Sequence, residues 1–291
     1  MDETAVHIRG LVKRYGGAPV VDGLDLDIAQ GEVFALLGPN GAGKTTTVEI
    51  LEGYRTRDAG TVSVLGEDPG KAGRAWRSRI GIVAQTATDA SELTVREVVS
   101  HFATYYPRHR DPEAVINQVG LGEHAKKRVG RLSGGQRRRV DVALGIIGDP
   151  DLLFLDEPTT GFDPEARVRF WHLIRQLSAE GTTIVLTTHY LDEVEALANR
   201  VAVIARGRLK VVGDPATLGG RATAGAVVSW REDGRLREET TANPEEYVAR
   251  LVSRNPGGVA ELSVQRPSLE DVYLQMIGES ADGAELRKET A

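Results

Sequence analysis

Hydrophobic and polar residues follow two different periods along this chain. Residues 24–28 alternate between Leu or Ile and Asp, which predicts a strand with one buried face, as in an antiparallel sheet. Short, largely apolar runs at residues 33–37, 152–155 and 183–188 predict buried strands, as in a parallel sheet covered on both faces. Helical patterns lie between these runs, so the sequence predicts an α/β fold.

Helical periodicity dominates from about residue 86 to residue 148. Thr94 and Glu97 form a predicted capping box at a helix start, and the apolar residues after it recur at helical spacing. These residues are Val95, Val98, Val99, Phe102 and Tyr106. The segment is therefore predicted to be a helical subdomain with one face packed on a core.

The composition changes near the carboxyl end of the chain. Residues 213–225 are rich in glycine and other small residues, which predicts a linker. Strand patterns and helix starts at Asn243 and Ser268 follow it and predict a small α+β domain. The predicted divisions are a main domain over residues 1–218, an accessory domain over 219–278 and a disordered tail over 279–291.

A phosphate-binding loop of the form G-x-x-x-x-G-K-T connects the run at 33–37 to a predicted helix. Its glycines allow backbone N–H groups to converge on phosphate oxygens at the helix start. Lys44 is placed to reach the β and γ phosphates, and the Thr45 hydroxyl to ligate Mg²⁺. The predicted ATP-binding residues of the loop are Gly38, Pro39, Asn40, Gly41, Ala42, Gly43, Lys44, Thr45 and Thr46.

Two carboxylates, Asp156 and Glu157, follow the apolar run at 152–155. Ligands of parallel sheets bind at the carboxyl ends of the strands, so both side chains are expected near the phosphates. Successive strand side chains point to opposite faces, which predicts different roles for them. Asp156 is interpreted as the Mg²⁺ anchor, through water, and Glu157 as the base that polarises the attacking water. An ordinary strand exit is the alternative interpretation of this pair.

A second helix start has the features of an anion site. Ser133 occupies the predicted N-cap, and Gly134, Gly135 and Gln136 open the helix with accessible N–H groups. A single ATP already occupies the first site, so we interpret the second as serving a nucleotide presented by another subunit. The arginines at 137–139 are interpreted as a solvated helix face rather than a nucleic-acid patch, because the chain has 36 basic and 42 acidic residues and a net charge of −6.

Composition sets further limits. The chain has 291 residues, of which 41% are hydrophobic, and it has no cysteine. These values suit about two domains with a substantial core, and they exclude disulfides. The first residues lack the pattern of a signal peptide, and no apolar run approaches the roughly 18 residues of a membrane span. A soluble, cytoplasmic protein is predicted, so any transport channel would belong to another polypeptide.

The three motifs, in this order, resemble the nucleotide-binding subunits of ABC transporters. The resemblance runs from about residue 7 to residue 218, and the Leu-Ser-Gly-Gly-Gln sequence at 132–136 distinguishes this family from other P-loop ATPases. It implies a P-loop ABC-type ATPase with a RecA-like core, an antiparallel β subdomain and a helical subdomain. It also implies ATP and Mg²⁺ as cofactors.

The resemblance assigns further residues one by one. Tyr15 matches the aromatic residue that stacks on adenine, and Gln85 matches the glutamine that touches Mg²⁺ and the attacking water. Asp163 matches the aspartate of a loop that crosses the dimer interface, and His189 matches the switch histidine at the γ-phosphate. Phe162 stands where leucine is more usual and enlarges an apolar contact. The implied catalytic residues are Glu157, His189 and Gln85, and the implied Mg²⁺ ligands are Thr45, Gln85 and Asp156.

In family terms the active form is a homodimer with two ATP molecules, each between one subunit's phosphate loop and the other's signature helix. ATP binding closes the dimer, and the motion is relayed through the region around Gln85 to a separate integral membrane permease. This implies a peripheral position on the inner face of the cell membrane. The ending at residues 268–273 resembles the tails of drug-resistance and antibiotic-export ATPases of the daunorubicin-resistance type. The predicted cargo is therefore a drug, antibiotic, lipid or polysaccharide.

Alternatives from other classes are an importer ATPase and a soluble ABC ATPase that does not transport. A ribosome-associated ABC ATPase would usually carry two cassettes, and a DNA-repair relative would insert a long coiled coil; the sequence has neither feature. A nucleotide kinase outside the family would lack the signature. No nucleic-acid partner is expected, and the sequence does not name the cargo because the permease encloses it.

Overall fold

The computed structural model of the chain describes residues 3–84, 90–221, 223–232 and 234–285. The chain divides into two compact units between Val212 and Gly213. The sequence analysis places this division after Leu218, where the family resemblance ends. Leu218 is instead buried in a short 3-10 turn, Leu218–Gly220, of the second unit.

Strands and helices alternate in the first unit, as the sequence predicts for an α/β fold. The strands are β1 (Thr4–Tyr15), β2 (Ala18–Ala29), β3 (Val33–Leu37), β4 (Ala59–Val64), β5 (Ile80–Val83), β6 (Leu152–Asp156), β7 (Thr183–Thr188), β8 (Arg200–Ala205) and β9 (Arg208–Gly213). The helices are α1 (Lys44–Leu51), α2 (Arg74–Arg77), α3 (Val95–Ala103), α4 (Pro112–Gln118), α5 (Gly134–Ile146), α6 (Pro164–Ala179) and α7 (Leu191–Leu197).

The central sheet has the strand order β5-β6-β7-β3-β8-β9, and its pairs from β5 to β8 are parallel. All residues of β3, β6 and β7 are buried, which confirms the prediction made from their apolar runs. Parallel strands end at one edge of a sheet, so the segments after β3, β6 and β7 meet there. Those segments carry the phosphate loop, Glu157 and His189.

A smaller antiparallel sheet has the order β2-β1-β4. Leu24, Leu26 and Ile28 on β2 are buried, whereas Asp25 and Asp27 are exposed. The alternation therefore predicted both the strand and its buried face. The inner face of this sheet belongs to the same apolar core as α1, β3 and β6, which anchors the phosphate loop on both sides.

The helical segment begins as predicted and differs at the end of α3. Thr94 and Glu97 form the predicted capping box, and Val95, Val98 and Val99 are buried. Tyr106 was predicted on the same helix face but lies beyond the helix, which ends at Ala103. The amides of residues 104–106 bond to carbonyls three residues back, a tightened final turn, and Pro107 disfavours helical backbone at Tyr106.

The prediction of a solvated arginine face on α5 is wrong for one of its three members. Arg137 is exposed and Arg139 is half-buried, but Arg138 is only 8% exposed. Consecutive residues of an α-helix differ by about 100° in direction, so three in a row cannot share one face. Because one face of α5 packs against the protein, at least one of the three arginines points inward, and here it is Arg138.

The second unit contains a sheet with the order β11-β10-β12 and helices on either side of β12 in the chain. Its elements are β10 (Ala226–Glu232), β11 (Arg235–Thr241), α8 (Pro244–Arg254), β12 (Ala260–Gln265) and α9 (Leu269–Glu285). The helix starts after Asn243 and Ser268 are confirmed. Helix α9 continues to Glu285, whereas the sequence predicts disorder from residue 279.

Across the described ranges, no helix is both long enough and apolar enough to cross a membrane.

Candidate functional site

The phosphate loop joins β3 to α1 through a path that only glycine fits at two positions. A Cβ atom on Gly38 would lie 2.2 Å from the carbonyl oxygen of Ile204, and one on Gly43 would lie 2.5 Å from that of Val20. Gly43 also has a left-handed backbone, with φ of 99°, at the N-cap of α1. Helix α1 begins at Lys44, so its first N–H groups face the loop and favour an anion there.

The Lys44 ammonium group lies inside the loop. Its Nζ donates to the carbonyl oxygens of Gly38, at 2.7 Å, and Pro39, at 3.2 Å. Burial lowers the pKa of Lys44 below its ordinary value, although Asp156 and Glu157 both favour its charged form. This lysine therefore places a positive charge at the site predicted for phosphates.

A cleft of about 320 Å³ opens at the loop. Its lining combines the loop with one predicted catalytic residue: Val20, Asn40, Gly41, Ala42, Gly43, Lys44, Thr45, Thr46 and Glu157. Among the described residues that line it, none belongs to the signature at 133–136. The fold thus brings the phosphate loop and Glu157 together and leaves the signature of the same chain outside the cleft.

Asp156 ends β6 beside two threonine hydroxyl groups. Thr187 on β7 donates its hydroxyl hydrogen to Asp156 Oδ1, and the Thr45 hydroxyl lies 3.5 Å from the same oxygen. Thr187 was not predicted, although its position next to Thr188 and His189 at a strand end is a usable signal. Hydroxyl and carboxylate oxygens are hard ligands of the kind that Mg²⁺ prefers. Thr45 and Asp156 therefore fit a magnesium ion.

The backbone of Glu157 does not continue β6 as the sequence predicts. It follows β6 rather than belonging to it, and its φ is 46°, a left-handed conformation that costs a non-glycine residue about 1–2 kcal/mol. The separate directions of Asp156 and Glu157 therefore come from this turn and not from strand alternation. The Glu157 N–H donates to the carbonyl and the hydroxyl oxygen of Thr187, both at 3.1 Å.

His189 follows β7 and lies next to Glu157. Its Nδ1 is 3.4 Å from Glu157 Oε1. The His189 side chain is 39% exposed and that of Glu157 is 15% exposed. Two residues separated by more than thirty positions in sequence thus meet at the edge where β6 and β7 end.

The signature residues form the N-terminus of α5, as predicted. Ser133 is the N-cap, and its hydroxyl accepts from the Gln136 N–H at 3.3 Å. Gln136 completes a capping box, since its Oε1 accepts from the Ser133 N–H at 3.1 Å. A Cβ atom on Gly134 would meet no other atom within 4 Å, so the start of the helix is open to an incoming group.

Tyr15 and Asp163 are not among the described residues that line the cleft. Gln85 lies outside the described residues. Tyr15 ends β1 with 41% exposure, and Lys13 Nζ and the Arg55 guanidinium carbon each lie 5.5 Å from its ring centroid. Asp163 is the N-cap of α6 and accepts from the Ala166 N–H at 2.7 Å. Phe162 before it is buried and packs edge-to-face on Phe170.

A larger cavity, of about 630 Å³, lies at the opposite edge of the central sheet. Three arginines in its lining are paired with carboxylates: Arg79 with Asp151, Arg108 with Asp149 and Asp151, and Arg110 with Asp149 and Glu180. No residue predicted for nucleotide binding is among the described residues that line it. The charges of these three arginines are compensated, whereas the smaller cleft is lined by the predicted phosphate loop and Glu157.

Comparison with known protein families gives a match to the family model described as ABC transporter over residues 21–160. This range begins on β2 and includes the phosphate loop, the signature, Asp156 and Glu157. A second model, described as an AAA domain of a putative AbiEii toxin in a type IV toxin–antitoxin system, matches residues 128–193.

Relatives match over almost the whole chain. The Nod factor export ATP-binding protein I of Rhizobium sp. (strain N33) is 39% identical over 302 residues, which cover 96% of this chain and 98% of the relative. The daunorubicin resistance ATP-binding protein DrrA3 of Streptomyces coeruleorubidus is 36% identical and covers the same shares of both chains. Among solved structures, an ATP-binding subunit of an ABC transporter has a TM-score of 0.67 at 24% identity and covers 73% of this chain and 90% of its own. That likeness establishes the shared fold.

Proposed function

The chain belongs to the ABC transporter family as an ATP-hydrolysing subunit, and from this premise we propose that two copies bind two ATP molecules and drive export through a separate membrane permease. The observation that carries the proposal is that Glu157 lines the cleft formed by the phosphate loop and that His189 lies 3.4 Å from Glu157. In a site of this kind the loop binds the nucleotide and the two side chains beside it act on the attacking water.

The phosphate loop and Lys44 hold the phosphates of ATP. Backbone N–H groups at the start of α1 donate to phosphate oxygens, and the Lys44 charge offsets the negative charge that builds up during phosphoryl transfer. Tyr15 stacks on the adenine. Its exposed ring at the end of β1 is consistent with this role.

Glu157 orients the attacking water and accepts its proton. His189, 3.4 Å away, donates to the γ-phosphate and keeps the carboxylate of Glu157 directed at the water. A positioned base of this kind contributes roughly 10²–10⁴-fold to the rate. Gln85 contacts the same attacking water.

Thr45 and Asp156 hold Mg²⁺, with Gln85 as a further ligand. The Thr45 hydroxyl oxygen lies 3.5 Å from Asp156 Oδ1, and the Thr187 hydroxyl donates to the same carboxylate oxygen and holds it in place. When bound, the ion neutralises charge on the β and γ phosphate oxygens.

The signature helix serves the ATP of the other subunit. Ser133 and its following amides form an open helix start, yet they do not line the cleft of their own chain. A two-fold dimer places each α5 start against the partner's phosphate loop. Gly134, Gly135 and Gln136 contact the second nucleotide in this arrangement, and Asp163 crosses the interface.

The direction of transport is export. The relatives are named for Nod factor export and for daunorubicin resistance, and both names concern proteins that match this chain over nearly its full length. We therefore assign a drug, antibiotic, lipid or polysaccharide as cargo. The protein works at the cytoplasmic face of the membrane, bound to a permease that encloses the cargo.

Transport in vesicles tests this function. The chain is co-expressed with candidate membrane permeases, and inside-out vesicles are supplied with Mg²⁺, ATP and candidate cargoes. We expect ATP-dependent uptake with the wild-type chain. With Glu157→Gln we expect normal ATP binding but turnover and uptake lower by about 10²–10⁴-fold, because the base is lost while the phosphate cradle remains. Wild-type turnover in this variant would contradict the assignment of Glu157.

A further inference from the structure

Arg138 lies on the signature helix α5 and contacts the turn at Glu157, which follows β6. It is the fifth residue of α5, and its guanidinium points under the end of β6. Nη2 donates to the carbonyl oxygen of Asp156 at 2.7 Å and more weakly to that of Glu157 at 3.4 Å, while Nε donates to that of Pro158 at 3.2 Å. Nη1 donates to the carbonyl oxygen of Ala84, the last described residue before Gln85.

The acceptors are main-chain oxygens at the point where two strands end. Asp156 ends β6, Glu157 and Pro158 follow it, and Ala84 follows β5. Carbonyl groups that are buried at such strand ends need hydrogen-bond donors, and Arg138 supplies them here. The planar guanidinium presents five N–H groups in a fixed fork, which suits several acceptors at once. A lysine ammonium group is a single point and cannot reach all of them.

The backbone that Arg138 holds is strained. Glu157 has a left-handed φ of 46°, a conformation that persists in a non-glycine residue only where the surroundings over-determine it. Thr187 fixes the N–H of Glu157, and Arg138 fixes the carbonyl groups before, at and after this residue. The two together determine where the Glu157 carboxylate points.

Nearby charges favour this position of the guanidinium. Asp141, one turn further along α5, and the carboxylates of Asp156 and Glu157 all act on Arg138 to favour its charged form against the cost of burial. The neighbouring arginines differ: Arg137 is exposed, and Arg139 donates to the Gly120 carbonyl oxygen within the helical segment.

We propose that Arg138 is a positioning residue for ATP hydrolysis, which acts by holding the left-handed turn that aims Glu157 into the nucleotide cleft. The inference rests on the proposed role of Glu157 as base. It adds that the orientation of this base depends on a side chain of the signature helix in the same subunit.

Steady-state kinetics of Arg138→Gln and Arg138→Lys test the proposal. We expect kcat for Arg138→Gln to fall by about 10- to 100-fold, as for a misplaced catalytic group, while KM and the equilibrium affinity for a fluorescent ATP analogue change by less than about twofold. Arg138→Lys should recover part of kcat, because it restores a donor to one or two carbonyls. The matched controls are Arg137→Gln and Arg139→Gln, which should retain kcat within about twofold.

A double-mutant cycle separates positioning from general damage. In the Glu157→Gln background, single-turnover hydrolysis should change by less than about twofold on adding Arg138→Gln, since the group that Arg138 positions is already lost. Loss of the same size in both backgrounds would overturn the proposal, and so would a parallel fall in nucleotide affinity and thermal stability. If Glu157→Gln itself has wild-type turnover, the proposed base is wrong; if it is slow and Arg138→Gln is not, only the role of Arg138 fails.

Discussion

At the scale of single residues, the charge of Asp156 influences its neighbours on several elements. It favours the charged forms of Lys44 and Arg138, and it disfavours ionisation of Glu52 just past the end of α1. Burial is the largest cause of the shift at Glu52, followed by Asp156 and Glu49, and together they raise its pKa to about 8.

The raised pKa of Glu52 predicts a change of stability with pH. The folded chain holds a proton up to about pH 8, whereas the unfolded chain releases it near the ordinary pKa of 4.5. The stabilising contribution is therefore complete below the unfolded pKa and is lost as the pH rises towards the folded pKa. Glu52→Gln should raise the Tm of the nucleotide-free protein at pH 8.5, by about 2–4 °C for each kcal/mol recovered, and leave it nearly unchanged at pH 4.5.

Thermal unfolding between about pH 4.5 and pH 9 measures this difference. Glu123→Gln, at an exposed position on the 3-10 turn Gly122–His124, is the control and should follow the wild-type curve at every pH. Parallel curves for Glu52→Gln and the wild type would show that Glu52 ionises normally in the folded protein.

At the scale of elements, the structure separates the two helix starts that the sequence predicts for phosphate binding. Helix α1 begins in the cleft behind the glycine turn, whereas α5 begins at Ser133, outside that cleft. Both starts present free N–H groups and the positive end of the helix dipole. Their separation within one chain predicts that each complete site draws on two chains.

Mixing two inactive variants tests this division. Lys44→Ala removes the cation of the first helix start, and Ser133→Ala removes the cap of the second, so each protein alone should lose nearly all turnover. A one-to-one mixture should regain up to about a quarter of the wild-type rate, because random pairing leaves about that fraction of sites with both parts intact.

As a control, each variant must be shown to be folded before the proteins are mixed. Loss of an N-cap costs about 0.5–2 kcal/mol, so Ser133→Ala must show a cooperative thermal transition before mixing. A mixture that stays inactive at every ratio, with both proteins folded, would place the whole ATP site within one chain.

At the scale of the whole molecule, the chain divides into two compact units, Met1–Val212 and Gly213–Ala291. Every described residue of the nucleotide cleft lies before Val212, in the first unit. The second unit has its own sheet and its own buried residues, among them Leu218, Ala226, Val228 and Leu269. We therefore predict that it acts in dimerisation or in coupling to the permease.

A chain that ends at Gly213, the last residue of β9, tests this assignment. It should fold and bind ATP with an affinity within about threefold of the full chain, because the phosphate cradle is complete without the second unit. Dimerisation on ATP binding, or co-purification with the permease, should be weaker. Calorimetry measures the ATP affinity, and size-exclusion mass measures dimerisation. A folded truncated chain without nucleotide affinity would show that the second unit completes the ATPase.

Local sequence determined much of this protein. The alternation at 24–28 and the apolar runs of β3, β6 and β7 fixed strands, because burial of a strand face depends on the period of its own residues. Thr94 and Ser133 fixed helix starts, since an N-cap bonds to residues only two or three positions away. The phosphate loop was recognisable for the same reason: its glycines, Lys44 and Thr45 are close together in sequence.

Only the tertiary structure decided features that depend on distant partners. Arg138 is buried because carbonyl groups from two strand ends, up to 54 positions away, offer it acceptors, and no pattern within α5 reveals them. Glu157 turns left-handed where Thr187 and Arg138 hold its backbone, so this turn, and not strand alternation, sets the direction of its side chain. The cleft likewise joins Glu157 to the phosphate loop and omits the signature, since the order of parallel strands, not the order of motifs, determines which loops meet.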